Sequence, residues 1–161
     1  ERFRGVERRL DILAEAAGIV VVDDYAHHPA EIRATLAALA LGGKRLVAVF
    51  QPHLYSRTRD MLDGFAEALS AAQRVVVMPV YGARETPQDG VGSDAIARRM
   101  RHNGYAAVDH VDCAEEVVQL LDDEVGSGDT VVFMGAGDID RYAHSFAAQV
   151  GSVGAGQAGG K

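Results

Sequence analysis

The sequence predicts an α/β domain, three-layered and Rossmann-like, with a mostly parallel sheet and helices on both faces. Three observations predict it. Short runs of consecutive apolar, mostly β-branched residues occur at Ile19–Val22, Leu46–Phe50, Val75–Met78 and Thr130–Met134. Runs without polar alternation suit strands buried on both faces of a parallel sheet. Between them lie apolar residues at helical spacing: Ile32, Leu36, Leu39 and Ala40; Leu62, Phe65, Leu69 and Ala72; Ile139, Tyr142, Ala143, Phe146 and Val150. The two kinds of segment alternate, which implies βαβ units with right-handed crossovers.

The remaining elements follow in order. Leu10 to Ala17 has helical propensity, but Gly18 and the strand after it also permit an opening β-hairpin. Pro29 stands where a first-turn proline starts a helix. Weaker helices fit Ser93–His102 and Ala114–Val125. After Val150 the chain turns to Gly, Ala, Ser and Gln. The expectation is one domain over residues 1–150 and a flexible Gly-rich tail over 151–161.

Composition narrows the function. The 161 residues fit one domain, and 48% hydrophobic content supports a sizeable core. The formal net charge of −7 argues against nucleic acid or an anionic membrane as partner, because phosphate surfaces call for clustered Lys and Arg. Cys113 is the single cysteine, so no internal disulfide forms and a reducing cytoplasm is the expected compartment. No apolar run approaches the roughly 20 residues that span a bilayer, and no signal-peptide pattern is present. The chain starts at Glu1, within a charged stretch, and reads as a piece of a longer protein.

In an open α/β sheet, ligands bind beyond the carboxyl ends of the strands. After the first parallel strand come Asp23, Asp24, Tyr25, Ala26, His27, His28 and Pro29. Carboxylates here suit a ribose hydroxyl or a metal, and imidazoles hydrogen-bond or ligate. The plainer role for any one of them is to cap the next helix. Zinc is disfavoured, because adjacent histidines rarely share an ion and no Cys/His pattern follows; no metal site is expected.

After the second parallel strand, Gln51-Pro-His-Leu-Tyr-Ser-Arg-Thr-Arg-Asp60 brings Arg57 and Arg59. Guanidinium binds carboxylate or phosphate through two parallel hydrogen bonds. Arg59 also reads as a surface partner of Asp60, whereas Arg57, beside His53 and Tyr55, favours an anion. The long segment Pro79–Pro87 has no legible chemistry, although long loops in compact domains are often functional. After the last strand, Gly135-Ala-Gly-Asp-Ile139 lets a backbone approach a ligand closely. It is half of a dinucleotide fingerprint, on the wrong strand and without the third glycine.

Four segments in this order resemble the C-terminal domain of the Mur ligases: Gly5-Val-Glu-Arg-Arg-Leu10, Asp23–Pro29, Phe50–Asp60 and Gly135–Ile139. The second and third are long and specific, and the resemblance covers residues 1–150. It implies an ATP-dependent ligase of peptidoglycan precursor synthesis that joins L-alanine to UDP-N-acetylmuramic acid through an acyl phosphate. The resemblance also implies two upstream domains, one for the sugar nucleotide and one carrying the P-loop and most of the Mg2+ ligands. This chain has no Gly-x-x-x-x-Gly-Lys-Ser/Thr motif, so the isolated domain is expected to be inactive. Position by position, Arg9 is similar to the family arginine that reaches the ATP phosphates on closure, a catalytic and nucleotide-binding role. Asp24 is similar to the aspartate that holds the ribose. Tyr25 and His27 fall where the family lines the amino-acid pocket, Arg57 resembles the arginine that grips the alanine carboxylate, and His53, in the same loop as Arg57, is counted with them as substrate-binding. Leu54 departs from the pattern, since many relatives carry a second arginine there. Three competing readings are a sister ligase that recycles tripeptide onto the same sugar nucleotide, a non-catalytic nucleotide-binding module, and a non-catalytic interaction domain.

Overall fold

The computed structural model describes residues 8–158. Gly5–Glu7 of the first motif and the last three residues lie outside the described residues. A six-stranded sheet forms the middle layer, in the order β1 (Asp11–Ala16), β2 (Ile19–Asp24), β6 (Asp129–Met134), β3 (Arg45–Phe50), β4 (Arg74–Val77), β5 (Val108–His110). Only β1 runs antiparallel to its neighbour. The helices are α1 (Pro29–Ala40), α2 (Tyr55–Asp60), α3 (Leu62–Leu69), α4 (Ser93–His102), α5 (Glu116–Glu124) and α6 (Ile139–Ala158). The expected three-layer α/β architecture is the one present.

Strand alternation divides the core into two halves. Leu46, Ala48 and Phe50 join Val75, Val77, Val132 and Met134 on the face covered by Ile32 and Leu36 of α1, Phe65 and Leu69 of α3, and Ile96 and Met100 of α4. Val47, Val49, Val76, Val131 and Phe133 face Val117 and Leu121 of α5 and Phe146 and Val150 of α6. All these residues are buried, which is why their strands read as unbroken apolar runs. At the rim, the buried guanidinium of Arg74 pairs with Glu124 at 2.7 Å and with Asp109 at 2.7 Å, tying α5 and β5 to β4.

Leu10–Ala17, open to two readings, resolves as the hairpin. Ala17 (φ 52°) and Gly18 (φ 80°) form a two-residue turn between β1 and β2, with the positive φ values that match the right-handed strand twist. β5 has no counterpart in the sequence reading, because a three-residue edge strand with one fully buried apolar residue, Val108, leaves no period to detect. α2 likewise leaves no helical signal in the sequence. Its Tyr-Ser-Arg-Thr-Arg-Asp has no apolar stripe, and only Thr58 is buried.

The stretch after Val150, expected to be a flexible tail, is helical as far as Ala158. Helical residues here face β1: a Cβ on Gly154 would lie 2.9 Å from the Cβ of Ala16, whereas Gly151 faces open space. Gly154 thus permits close helix–strand packing, and tertiary contact offsets the weak helix propensity of glycine. Gly151→Ala should therefore stabilise the domain by about 1 kcal/mol, the usual gain at an exposed helical glycine. Gly154→Ala should gain nothing or lose stability. Urea midpoints of the two variants check this, and equal gains would refute close packing at Gly154.

Candidate active site

Parallel pairing brings the carboxyl ends of four strands level: Asp24 lies opposite Met134, Met134 opposite Phe50, and Phe50 opposite Val77. The loops that follow these residues meet at one edge of the sheet. Arg8 ties two of them. Its guanidinium pairs with the buried Asp23 at 2.8 Å, donates to the carbonyl of Gly135 at 3.0 Å and reaches that of Gly137 at 3.4 Å. It also lies 5.4 Å from the centroid of the Tyr25 ring. Burial disfavours its charge, but the bond and ion pair with Asp23 outweigh this and raise its pKa. Arg8, not the Arg9 that the family resemblance singles out, makes this tie. Nothing in an Arg-Arg pair tells which member is structural.

Arg9, Asp24 and Tyr25 line one cavity of about 250 Å3, together with Leu10, Ala26, Glu31, Ala34 and Thr35. The Asp24 carboxylate is heavily engaged there. Oδ1 accepts from the Ala26 N–H at 2.8 Å and the Thr35 hydroxyl at 3.2 Å, and Oδ2 accepts from the Leu10 N–H at 2.8 Å. About one of its four lone-pair positions is left for a ligand, on Oδ2. His28, next along, takes the plain role. It is the N-cap of α1, its Nδ1 accepting from the Ala30 N–H at 3.3 Å, while Glu31 completes the capping box by accepting from the His28 N–H at 3.1 Å.

A row of rings runs from this cavity across the strand ends. Tyr25 meets His27 edge-on at 5.2 Å, His27 meets His53 at 6.3 Å, and His53 stacks on Tyr81 at 5.7 Å with 14° between planes. Tyr81 comes from the long segment after β4, which the sequence left unread. At the His53 end, three buried polar atoms lack hydrogen-bond partners among the described residues: His53 Nδ1, Arg57 Nη1 and Gln51 Oε1. Unpaired buried donors and acceptors are costly, so they mark where a ligand with complementary groups would repay the cost. Burial, then the charges of Arg57 and His27, hold the His53 pKa below the ordinary imidazole value, against a weaker upward pull from Glu85. Arg59 behaves as the plainer reading had it, pairing with Asp60 at 2.8 Å on the surface.

The glycines after β6 serve the protein itself. A Cβ on Gly135 would come within 2.9 Å of the Gln51 carbonyl, and one on Gly137 within 2.6 Å of the Tyr81 ring and into Gln51 Oε1. They let the β6 loop close on the β3 and β4 loops, where Gln51 Nε2 donates to Asp138 at 2.8 Å. Among the described residues, no group of three or more His, Cys, Asp or Glu side chains could hold a metal ion, and no helix is long and apolar enough to cross a membrane.

A sheet covered on both faces, with arginines and aromatic rings gathered beyond the carboxyl ends of its parallel strands, defines an α/β domain of the kind that binds ligands at that edge. The chain belongs to the Mur ligase family: the family model described as Mur ligase, glutamate ligase domain, matches residues 8–137. It is 47% identical over 146 residues to the UDP-N-acetylmuramate–L-alanine ligase of Salinibacter ruber, covering 89% of this chain and 31% of that protein. The ligase of the same name from Symbiobacterium thermophilum is 47% identical over 147 residues, covering 90% of this chain and 30% of the relative. The chain thus spans about a third of the length of these curated relatives. Among solved structures, the UDP-N-acetylmuramate–alanine ligase of Thermotoga maritima superposes with a TM-score of 0.75 at 31% identity, over 95% of this chain and 32% of that one. A murein peptide ligase from Psychrobacter arcticus shares the fold, with a TM-score of 0.70 at 22% identity, over 92% of this chain and 31% of that one.

The depressed His53 pKa has a signed consequence. Above about pH 7.5, a unit over the ordinary imidazole pKa, the ring is neutral in folded and unfolded chains alike and contributes nothing to pH dependence. Below that, the unfolded chain takes up the proton first, so stability falls as pH falls toward the folded pKa. From about pH 7.5 to about pH 5.5, the wild type should lose more stability than His53→Gln, spanning the ordinary imidazole range. Urea midpoints at the two pH values measure this, and parallel losses would contradict it.

Proposed function

We propose that this chain is the C-terminal domain of an ATP-dependent ligase that joins L-alanine to UDP-N-acetylmuramic acid, acting in the cytoplasm in peptidoglycan precursor synthesis. In this reading it binds the amino acid and closes over the nucleotide held by upstream domains of the same ligase. One observation carries it: an unpaired, buried arginine nitrogen stands beside an unpaired, neutral-favouring imidazole, across an aromatic row from a cavity lined by Arg9 and Asp24. An amino acid needs a cation for its carboxylate and an environment that keeps its amine unprotonated and nucleophilic.

Arg57 grips the alanine carboxylate. His53, neutral at neutral pH, has an unpaired ring nitrogen that is free to accept a hydrogen bond or a proton from the amine. Tyr25 and His27 wall the pocket. The amine attacks the activated lactyl carboxyl, forming the C–N bond as the C–O bond to phosphate breaks, and the proton that the nitrogen loses goes to the departing phosphate; that phosphate comes from ATP, a substrate here. The cavity beside Asp24 suits the ribose, whose hydroxyl would donate to the remaining Oδ2 lone pair. Arg9, exposed at the cavity mouth, supplies a cation to the phosphates when the domains close. Mg2+ would neutralise phosphate charge when bound. The described residues offer it no three-ligand set, so upstream residues would hold most of its coordination.

Kinetics of the complete ligase test the reading. Alanine should be ligated far better than the tripeptide substrate of the sister recycling enzyme. Alanine has little apolar surface, and its methyl contributes only about 1 kcal/mol on burial, so its carboxylate dominates recognition. Arg57→Ala should raise the alanine KM at least about tenfold, the equivalent of roughly 1.4 kcal/mol, with the melting temperature nearly unchanged. Arg57→Lys should recover only part, because an ammonium cannot reproduce the planar fork. An unchanged alanine KM in a folded Arg57→Ala enzyme removes Arg57 from the pocket.

Arg9→Ala should lower kcat more than it weakens ATP binding, because a cation delivered by closure acts most strongly where charge develops. Pre-steady-state phosphate release and equilibrium ATP titration separate the two effects. Collapse of ATP affinity with kcat intact would make Arg9 a ground-state binder instead.

A further inference from the structure

The segment after β4 fastens itself to α2, the short helix that carries Arg57. The Leu54 N–H donates to the Tyr81 carbonyl at 2.9 Å, and the Tyr81 N–H donates to the Pro52 carbonyl at 2.8 Å. Farther out, Arg59 donates to Gln88 at 3.1 Å. Between these points lies the strongest link. The Glu85 carboxylate accepts from the Ser56 N–H at 2.9 Å and from the Ser56 hydroxyl. Those bonds, the hydroxyl first, hold the Glu85 carboxyl below the usual carboxylate range.

α2 needs such a partner. Its N-cap residue is Leu54, which has no side-chain acceptor and sits at φ 70°, in the left-handed region that disfavours a branched aliphatic residue. A helix of six residues is too short to hold its own geometry in water. Glu85 therefore provides, from a different loop, the acceptor that the local sequence lacks. The approach depends on Gly82, where a Cβ would meet the Tyr55 ring at 2.7 Å and the Glu85 carbonyl at 3.1 Å. Glu85 spends its oxygens on Ser56 and leaves Arg57 Nη1 unpaired.

We propose that Glu85 is a positioning residue for amino-acid recognition: it caps α2 from the β4 loop and so holds Arg57 in place for the substrate carboxylate. The proposal rests on the role given to Arg57 above. A guanidinium fork rewards correct placement steeply, because both of its hydrogen bonds depend on one orientation. Freeing the first turn of α2 should weaken alanine binding while leaving the nucleotide cavity, built on β2 and α1, undisturbed.

The test is steady-state kinetics on the complete ligase, with alanine, ATP and UDP-N-acetylmuramic acid varied in turn. Glu85→Ala should raise the alanine KM about tenfold or more, with kcat and the other two KM values within about twofold. Glu85→Gln retains one acceptor for the Ser56 N–H and should show a smaller rise, roughly threefold by the same scale; it carries the test alone if Glu85→Ala does not fold. Because Glu85 acts through Arg57, the double variant should have an alanine KM no higher than Arg57→Ala alone. If Arg57→Ala raises the alanine KM and Glu85→Ala does not, the inference fails and the role of Arg57 stands. A common rise in all three KM values would also overturn it, making Glu85 a general structural residue. A wild-type ligase that does not turn over alanine would overturn both readings.

Discussion

The position of β6 in the sheet governs everything at the functional edge. It is the last strand in the sequence, yet it pairs in parallel with both β2 and β3. That insertion sets Met134 level with Asp24 on one side and Phe50 on the other. Loops separated by more than a hundred residues of chain are thereby brought into contact. Arg8 then uses the carbonyls of Gly135 and Gly137 and the carboxylate of Asp23 to tie the β2 and β6 loops. Gln51 ties the β3 loop to Asp138. A charged group buried at a strand end costs less when several fixed acceptors meet it, and Arg8 meets such a set only with β6 in the centre.

The two halves of the edge differ in kind. Around Asp24 nearly every polar group is satisfied, which makes a rigid cavity wall with one vacant lone pair. Around His53 and Arg57 three buried atoms, His53 Nδ1, Arg57 Nη1 and Gln51 Oε1, lack partners among the described residues. That contrast fits the division of labour proposed for them. A nucleotide brings many atoms and large binding energy, so its cavity can be prebuilt from backbone and carboxylate. A small amino acid brings few atoms, so its site concentrates recognition in one cation held at a particular angle. The ring row from Tyr25 to Tyr81 connects the two and is common to both.

Leu54 illustrates how one departure changes the load on its neighbours. Its positive φ and missing cap would leave α2 poorly defined by local sequence alone. The β4 loop compensates through Tyr81, Glu85 and Gln88, so a segment with no legible chemistry holds the helix that carries Arg57. The long-range link also depends on Gly82, where a Cβ would strike the Tyr55 ring.

The sequence by itself determined the layer architecture, because strands buried on both faces must be apolar at every position and helices buried on one face must repeat every three to four residues. It also exposed Asp24, Tyr25, His27, His53 and Arg57 as candidates, since polar residues clustered after apolar strands have no packing reason to be there. Only the tertiary structure decided which member of Arg8-Arg9 is the structural anchor, that His28 is a cap, that the Gly135–Gly137 turn admits other loops, and that α6 extends past Val150 against β1. Each of these depends on a partner far away in the chain. Local composition encodes what a residue can do, whereas the fold supplies the partner that selects one of those possibilities.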